Sequence, residues 1–126
     1  MTTPIYILGY ECNTDIGILV DTSASMAREA FKFQINFIKK MVKSLDVAKF
    51  SDAKVQVGVV LYSKTPNIGI SLDEFDKVDN FLEALGKLKA DGADQTRVDL
   101  ALYKGQEMFD QGARSDGKKV SLGFRF

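Results

Sequence analysis

Apolar and polar residues along this chain follow spacings that predict strands and helices in alternation. Residues 15–20 predict a short strand, because five apolar or glycine residues follow Asp15 without alternation, which is typical of a central strand covered on both faces. From about 25 to 46, apolar residues recur every three or four positions and predict a long amphipathic helix capped by Ser25. Its apolar stripe comprises Met26, Ala30, Phe33, Phe37, Met41 and Leu45, widened by Ile35, Ile38 and Val42.

The later segments continue the alternation. They predict a second strand at 53–63, a short hairpin strand at 67–72, helices at about 73–88 and 97–111, and a final apolar run at 120–124. The inward face of the last helix is predicted to comprise Val98, Ala101, Leu102 and Met108 or Phe109. This order favours an α/β fold with a doubly wound, mostly parallel sheet and helices on both faces.

Three residues within these elements carry more specific expectations. Gly58 lies inside the second predicted strand, where a glycine allows close approach of another backbone segment. Tyr62 and Phe37 are predicted to belong to the core and not to contact a ligand.

Composition narrows the range of functions. The chain has 126 residues, enough for one modest domain, and 45% of them are apolar, which is sufficient for a packed core. Its 17 basic and 17 acidic residues give a net charge of zero, which argues against a nucleic-acid partner. Histidine is absent, so histidine catalysis and histidine metal ligation are excluded. No membrane span is expected, and residues 1–12 lack the features of a signal peptide.

Cys12 is the only cysteine, so an internal disulfide or a zinc cluster cannot form. Two interpretations remain open for it: a small buried apolar side chain, or a thiol whose partner lies outside this chain.

The segment "LVDTSAS" places Asp21, Ser23 and Ser25 directly after the first predicted strand. An aspartic protease using Asp21 would need an all-β fold, a second carboxylate and a glycine in place of Ser23. A metal site fits the α/β pattern better, because sites form at the carboxyl ends of parallel strands. Carboxylate and hydroxyl oxygens suit Mg²⁺, Mn²⁺ or Ca²⁺. A helix N-cap would explain the same residues without any metal.

Thr96, at the start of the third predicted helix, could cap that helix or supply another hydroxyl to the metal site. Taken together, "DIGILVDTSASM", "VQVGVVLYS" and "DQTRVDLALYKGQEMF" resemble a von Willebrand factor type A domain. The resemblance runs from about residue 13 to 120. It indicates an N-terminal lead-in at 1–12 and a von Willebrand factor type A domain at 13–126.

The resemblance implies a doubly wound fold with a metal-ion-dependent adhesion site. The family pattern maps onto Asp21, Ser23 and Ser25 in a first loop and onto Thr96 in a second. One divalent cation, Mg²⁺ or else Mn²⁺ or Ca²⁺, would accept an Asp or Glu carboxylate from a protein or extracellular-matrix partner. The implied role is adhesion in an extracellular setting, and not enzymatic turnover.

The sequence departs from the family pattern near residue 120. The family continues with an apolar strand ending in an aspartate, whereas here the chain reads "KKVSLGFRF", and Asp116 precedes that strand. A domain incomplete after its fourth strand is therefore expected, with a weakened metal site, or a fragment that binds no metal. Asp94 is the candidate for a compensating outer-shell charge. The resemblance to extracellular members of the family, which often pair a cysteine before the first strand with one after the last helix, implies that the partner of Cys12 would lie in the missing part.

Overall fold

The computed structural model describes residues 13–23, 28–44, 55–113 and 118–123, and they form a layered α/β domain. The elements are β1 (Thr14–Asp21), α1 (Arg28–Ser44), β2 (Val55–Tyr62), β3 (Pro66–Ile70), α2 (Val78–Gly86), α3 (Val98–Gly112) and β4 (Lys118–Gly123). The predicted order of strands and helices is confirmed. Cys12, Ser25, Met26 and Leu45 lie outside the described residues.

The described strands form one sheet in the order β3-β2-β1-β4. β1 pairs in parallel with both β2 and β4, and its residues are buried at every position. β3 returns antiparallel to β2, as the predicted hairpin strand requires. The parallel register places Asp21 opposite Tyr62, so the carboxyl ends of β1 and β2 meet at one edge of the sheet.

Alternate residues of the strands face two separate apolar layers. On one face, β1 and β2 pack against α1 and α2 through residues that include Ile18, Val59, Ile38 and Phe81. On the other face, α3 packs through Ala101, Met108 and Phe109 against Leu19 and Val60. Helices therefore cover both faces, which confirms the predicted doubly wound arrangement.

The buried face of α1 differs from the predicted stripe. Phe33 and Phe37 are 55% and 46% exposed, so the prediction that Phe37 belongs to the core is wrong. Ile35, Ile38 and Val42 are buried as predicted, and Gln34, which was not predicted, is fully buried with them. The helix is rotated toward Gln34 because this side chain hydrogen-bonds to the end of β1.

The buried face of α3 also differs from the prediction. Ala101, Gly105, Met108 and Phe109 face inward, whereas Val98 and Leu102 are exposed. The small residues at 101 and 105 let the helix approach the sheet, and a Cβ at Gly105 would lie 3.6 Å from Leu19. The inward face of α3 is the one whose small residues let the helix lie close to the sheet. Side-chain hydrophobicity alone does not predict that face.

α2 begins at Val78, five residues later than the predicted start at Asp73. The intervening residues form a turn in which the Ser71 amide donates to the Glu74 carboxylate and the Glu74 amide donates to the Ser71 carbonyl. These local bonds compete with helix formation. Among α1, α2 and α3, no helix is long and apolar enough to cross a membrane.

Two glycines side by side on β1 and β2 allow α3 to lie close to the sheet. Gly17 pairs with Gly58, and both face α3. A Cβ on Gly58 would lie 2.6 Å from the sulfur of Met108, and one on Gly17 would lie 2.9 Å from the Met108 methyl carbon. The close approach predicted at Gly58 is thus confirmed, and Met108 fills the space that two side chains would otherwise take.

Candidate functional site

The first site loop begins where β1 ends. The Asp21 carboxylate accepts a hydrogen bond of 2.8 Å from the Ser23 amide, which turns the chain sharply after the strand. Both residues are buried. This turn brings the Asp21 carboxylate and the Ser23 hydroxyl to the same edge of the sheet.

Gln34 of α1 fixes the backbone of Asp21 from behind. Its side-chain oxygen accepts from the Asp21 amide and its side-chain nitrogen donates to the Asp21 carbonyl, each at 3.0 Å. The fully buried amide therefore acts as an extra strand partner at the end of β1. Sequence reasoning missed Gln34, and its only signal was a polar residue between apolar ones.

The second loop, residues 91–97, brings Thr96 to the first. The Thr96 hydroxyl donates to the Ser23 hydroxyl at 3.0 Å, although the two residues are 73 positions apart in sequence. The loop is attached at both ends, since the Gly92 amide donates to the Thr22 carbonyl and the Arg97 amide donates to the Ser63 carbonyl. The structure thus joins three of the predicted site residues: Asp21, Ser23 and Thr96.

Asp91 connects this loop to the ends of both central strands. Its carboxylate accepts from the Ser63 hydroxyl at 2.6 Å, from the Ala93 amide at 3.1 Å and from the Thr22 hydroxyl at 3.3 Å. These donors, the Ser63 hydroxyl foremost, hold the pKa of Asp91 below its ordinary value. Asp91 was not predicted as a site residue; the Asp91-Gly92 pair was the available signal, and Gly92 has a φ of +70°.

Tyr62 lies beside Asp21 at the end of β2 and is buried, as predicted for a core residue. Burial raises the pKa of its hydroxyl, and the negative charge of Asp21 raises it further. Tyr62 therefore stays neutral, and Asp21 has a partly apolar neighbour at the end of β2.

The remaining predicted site residues are Asp94, Ser25 and Cys12. Asp94 is exposed in the second loop, and no hydrogen bond or ion pair links it to the described part of the first. Its role as an outer-shell charge stays a prediction. Ser25 and Cys12 belong to segments that the structure does not describe.

The donor set at this edge fits a hard divalent cation. Asp21 offers a carboxylate and Ser23 and Thr96 offer hydroxyls, all oxygen ligands of the kind that Mg²⁺, Mn²⁺ and Ca²⁺ accept. Adjacent oxygens of an octahedral Mg²⁺ lie about 3 Å apart, because each stands about 2.1 Å from the ion at right angles. The hydroxyl oxygens of Ser23 and Thr96 have a separation of 3.0 Å. Within the ranges described, no group of three or more His, Cys, Asp or Glu side chains that could hold a metal ion occurs, either at this edge or elsewhere.

Comparison with known proteins places this arrangement in context. The family model for the von Willebrand factor type A domain matches residues 15–122. The chain is 33% identical over 126 residues to the collagen alpha-1(XII) chain of Notophthalmus viridescens and 28% identical over 116 residues to cochlin of Bos taurus. These matches cover 95% and 90% of this chain but only 13% and 20% of those proteins, so the chain spans a small part of the curated relatives it matches.

Solved structures show the same fold. Proximal thread matrix protein 1 from the mussel byssus superposes with a TM-score of 0.79 at 22% identity, over 89% of this chain and 30% of that one. Another structure of that protein has a zinc-occupied MIDAS motif, and its TM-score is 0.79 at 21% identity. The conserved hypothetical protein BatB from Bacteroides thetaiotaomicron gives 0.71 at 13% identity, over 87% of this chain and 52% of its own.

Proposed function

Because the chain belongs to the von Willebrand factor type A family, as the match over residues 15–122 shows, we propose that it is a protein-binding module that uses one divalent cation. Asp21, Ser23 and Thr96 would hold the ion, with Ser25 completing the first loop. The ion would supply a positive centre that attracts a carboxylate. The hydrogen bond between the Thr96 and Ser23 hydroxyls carries this proposal, because it brings two loops together at the spacing of two ligands.

The neutral hydroxyls determine what such an ion can do. Asp21 is the only charged residue among the proposed ligands, so a divalent cation here would keep a net positive charge. It would therefore favour an anionic group from outside, and an Asp or Glu side chain of a protein or matrix partner is the matching chemistry. The mussel protein with zinc in its motif supports a divalent site, and Mg²⁺ is the ion proposed for this chain.

An adhesion role in the extracellular matrix agrees with the nature of the relatives. One is a collagen chain and another is a thread matrix protein. The competing interpretation, an aspartic protease built on Asp21, requires an all-β fold, whereas the described strands form a mostly parallel sheet covered by helices. We propose that the chain binds its partner without chemical turnover.

Titration calorimetry with Mg²⁺ and Mn²⁺ tests the cation site. Wild-type protein should bind one ion, and Thr96→Ala should bind at least tenfold more weakly, since it removes one proposed ligand from an exposed loop residue outside the core. Ser121→Ala, which removes an exposed hydroxyl from β4, is the matched control and should bind as wild type does. Binding that survives the double change Asp21→Ala and Ser23→Ala would overturn the proposal, and so would a wild-type protein that binds no ion.

A second measurement addresses the partner. Immobilised peptides containing Glu, and the same peptides with Gln, are exposed to the protein in Mg²⁺ or in EDTA. The proposal predicts retention only on Glu peptides and only with Mg²⁺. Equal retention on the Gln peptides, or retention unaffected by EDTA, would contradict carboxylate recognition through the ion.

A further inference from the structure

The carboxylate of Asp91 occupies a place in the site that no predicted ligand fills. It accepts from the Ser63 hydroxyl at the end of β2 and from the Thr22 hydroxyl just after β1, as well as from its own loop. Thr22 stands between two proposed ligands, Asp21 and Ser23. One side chain therefore touches all three segments that build the site.

Charge gives this position its significance. The proposed ligands Ser23 and Thr96 are neutral, so Asp21 alone opposes the two positive charges of the ion. Asp91 brings a second full negative charge to the same edge of the sheet, directly behind the first loop. Hydrogen-bonded carboxylates behind the ligands commonly orient them and strengthen ion binding.

We propose that Asp91 is the outer charge and positioning residue of the cation site, a role that the sequence analysis gave to Asp94. This inference rests on the proposed function. Through Ser63 and Thr22, Asp91 holds the loop carrying Thr96 against the loop carrying Asp21 and Ser23, and its charge favours the bound ion. Asp94 lies three residues along the same loop, is exposed like Asp91 and carries the same charge, but it lacks these contacts within the described residues.

Three single variants separate charge from geometry. Asp91→Asn removes the charge while keeping the side-chain shape and one acceptor oxygen. Asp94→Asn removes the same charge from the same loop and is the matched control. Ser63→Ala removes the shortest hydrogen bond to Asp91 but leaves its charge. Mg²⁺ and Mn²⁺ affinities are measured by calorimetry at low and high NaCl, and melting temperatures without metal report on the fold.

The expected result is a loss of about tenfold or more in Mg²⁺ affinity for Asp91→Asn, and little change for Asp94→Asn. Ser63→Ala should lose less Mg²⁺ affinity than Asp91→Asn, because the charge of Asp91 remains. Added NaCl should lower the Mg²⁺ affinity of the wild-type protein more than that of Asp91→Asn, since salt screens the charge that the variant lacks.

Several outcomes would overturn the inference. If Asp91→Asn and Asp94→Asn bind equally well, Asp91 has no special role. If Ser63→Ala loses as much as Asp91→Asn with the same salt dependence, loop geometry alone explains the effect. In both cases, wild-type binding that is lost in Thr96→Ala would leave the proposed function standing. A wild-type protein that binds no ion would overturn both proposals.

Discussion

At the scale of single residues, the site depends on polar side chains that satisfy backbone groups at strand ends. Gln34 is fully buried, and both of its hydrogen bonds go to the backbone of Asp21. A buried amide or carbonyl without a partner costs about 1–3 kcal/mol, so this one side chain supports both folding and site geometry.

Gln34→Leu is expected to lower the free energy of unfolding by roughly 2–4 kcal/mol, because the Asp21 amide and carbonyl lose their partner. Urea denaturation measures the change. Asn36→Leu, an exposed position on the same helix, should change stability by no more than about 0.5 kcal/mol. Equal effects of the two variants would show that Gln34 does not support the end of β1.

Arg97 and Asp99 at the start of α3 form a bidentate pair, with distances of 3.0 and 2.8 Å. The Arg97 guanidinium lowers the pKa of Asp99 from 3.8 to about 2. Because the folded-state pKa is depressed, the stabilisation is complete above about pH 4 and is lost as the pH falls through about 2.

In Arg97→Gln, the pKa of Asp99 should rise toward 3.8, as followed by NMR titration of its side-chain carboxyl carbon. Lys87→Gln removes a distant surface cation and should leave the Asp99 titration unchanged. A titration of Asp99 that is the same in wild type and Arg97→Gln would show that the pair does not persist in solution.

Only part of the candidate site could be predicted from the sequence at this scale. Asp21, Ser23 and Thr96 follow recognisable spacings, and the structure brings them together. Asp91 and Gln34 were missed because their partners are a hydroxyl and a strand end far away in sequence. Such contacts depend on which strands become neighbours, and a local pattern does not contain that information.

At the scale of elements, strands were easier to predict than helix faces. A continuous apolar run indicates a strand buried on both sides, and β1 is buried along its whole length. Helix faces are ambiguous where apolar residues surround the helix, as Phe33 and Leu102 show by being exposed. The inward face of α3 was decided by Ala101 and Gly105, small residues that a hydrophobic stripe undervalues.

The glycine pair under α3 gives a test at this scale. Gly58→Ala should destabilise the protein by about 1–3 kcal/mol, because the new methyl group meets Met108 and the Ile70 carbonyl in a packed layer. Gly86→Ala, at the end of α2, meets no atom within 4 Å and should be neutral or slightly stabilising. Thermal unfolding compares them, and a neutral Gly58→Ala would show that α3 lies less close to the sheet.

At the scale of the whole molecule, the site lies where the elements converge. Residues after β1, after β2 and before α3 contact one another there. The proposed ligands lie next to one another only in the folded chain. An ion that binds there should therefore stabilise the fold. β4, at the outer edge of the described sheet, is mostly exposed and contributes less to this support.

Mg²⁺ at one hundred times its dissociation constant should stabilise the protein by about 2.7 kcal/mol and raise its melting temperature by roughly 10 °C. Differential scanning calorimetry with and without Mg²⁺ measures the shift. Thr96→Ala should melt near the wild-type temperature without metal and should gain little from Mg²⁺. An equal gain in wild type and Thr96→Ala would assign the effect to ions elsewhere.

The depression above Gly17 and Gly58 also restricts how α3 can move. Met108 fills it, and Leu19 and Val60 carry side chains on the same face just beyond the glycines. Sliding α3 by one turn, about 5.4 Å, would drive Met108 into those side chains. Axial displacement of a helix is one way in which proteins carry a binding event to a distant surface. In this chain we expect α3 to keep its axial position when the site is filled.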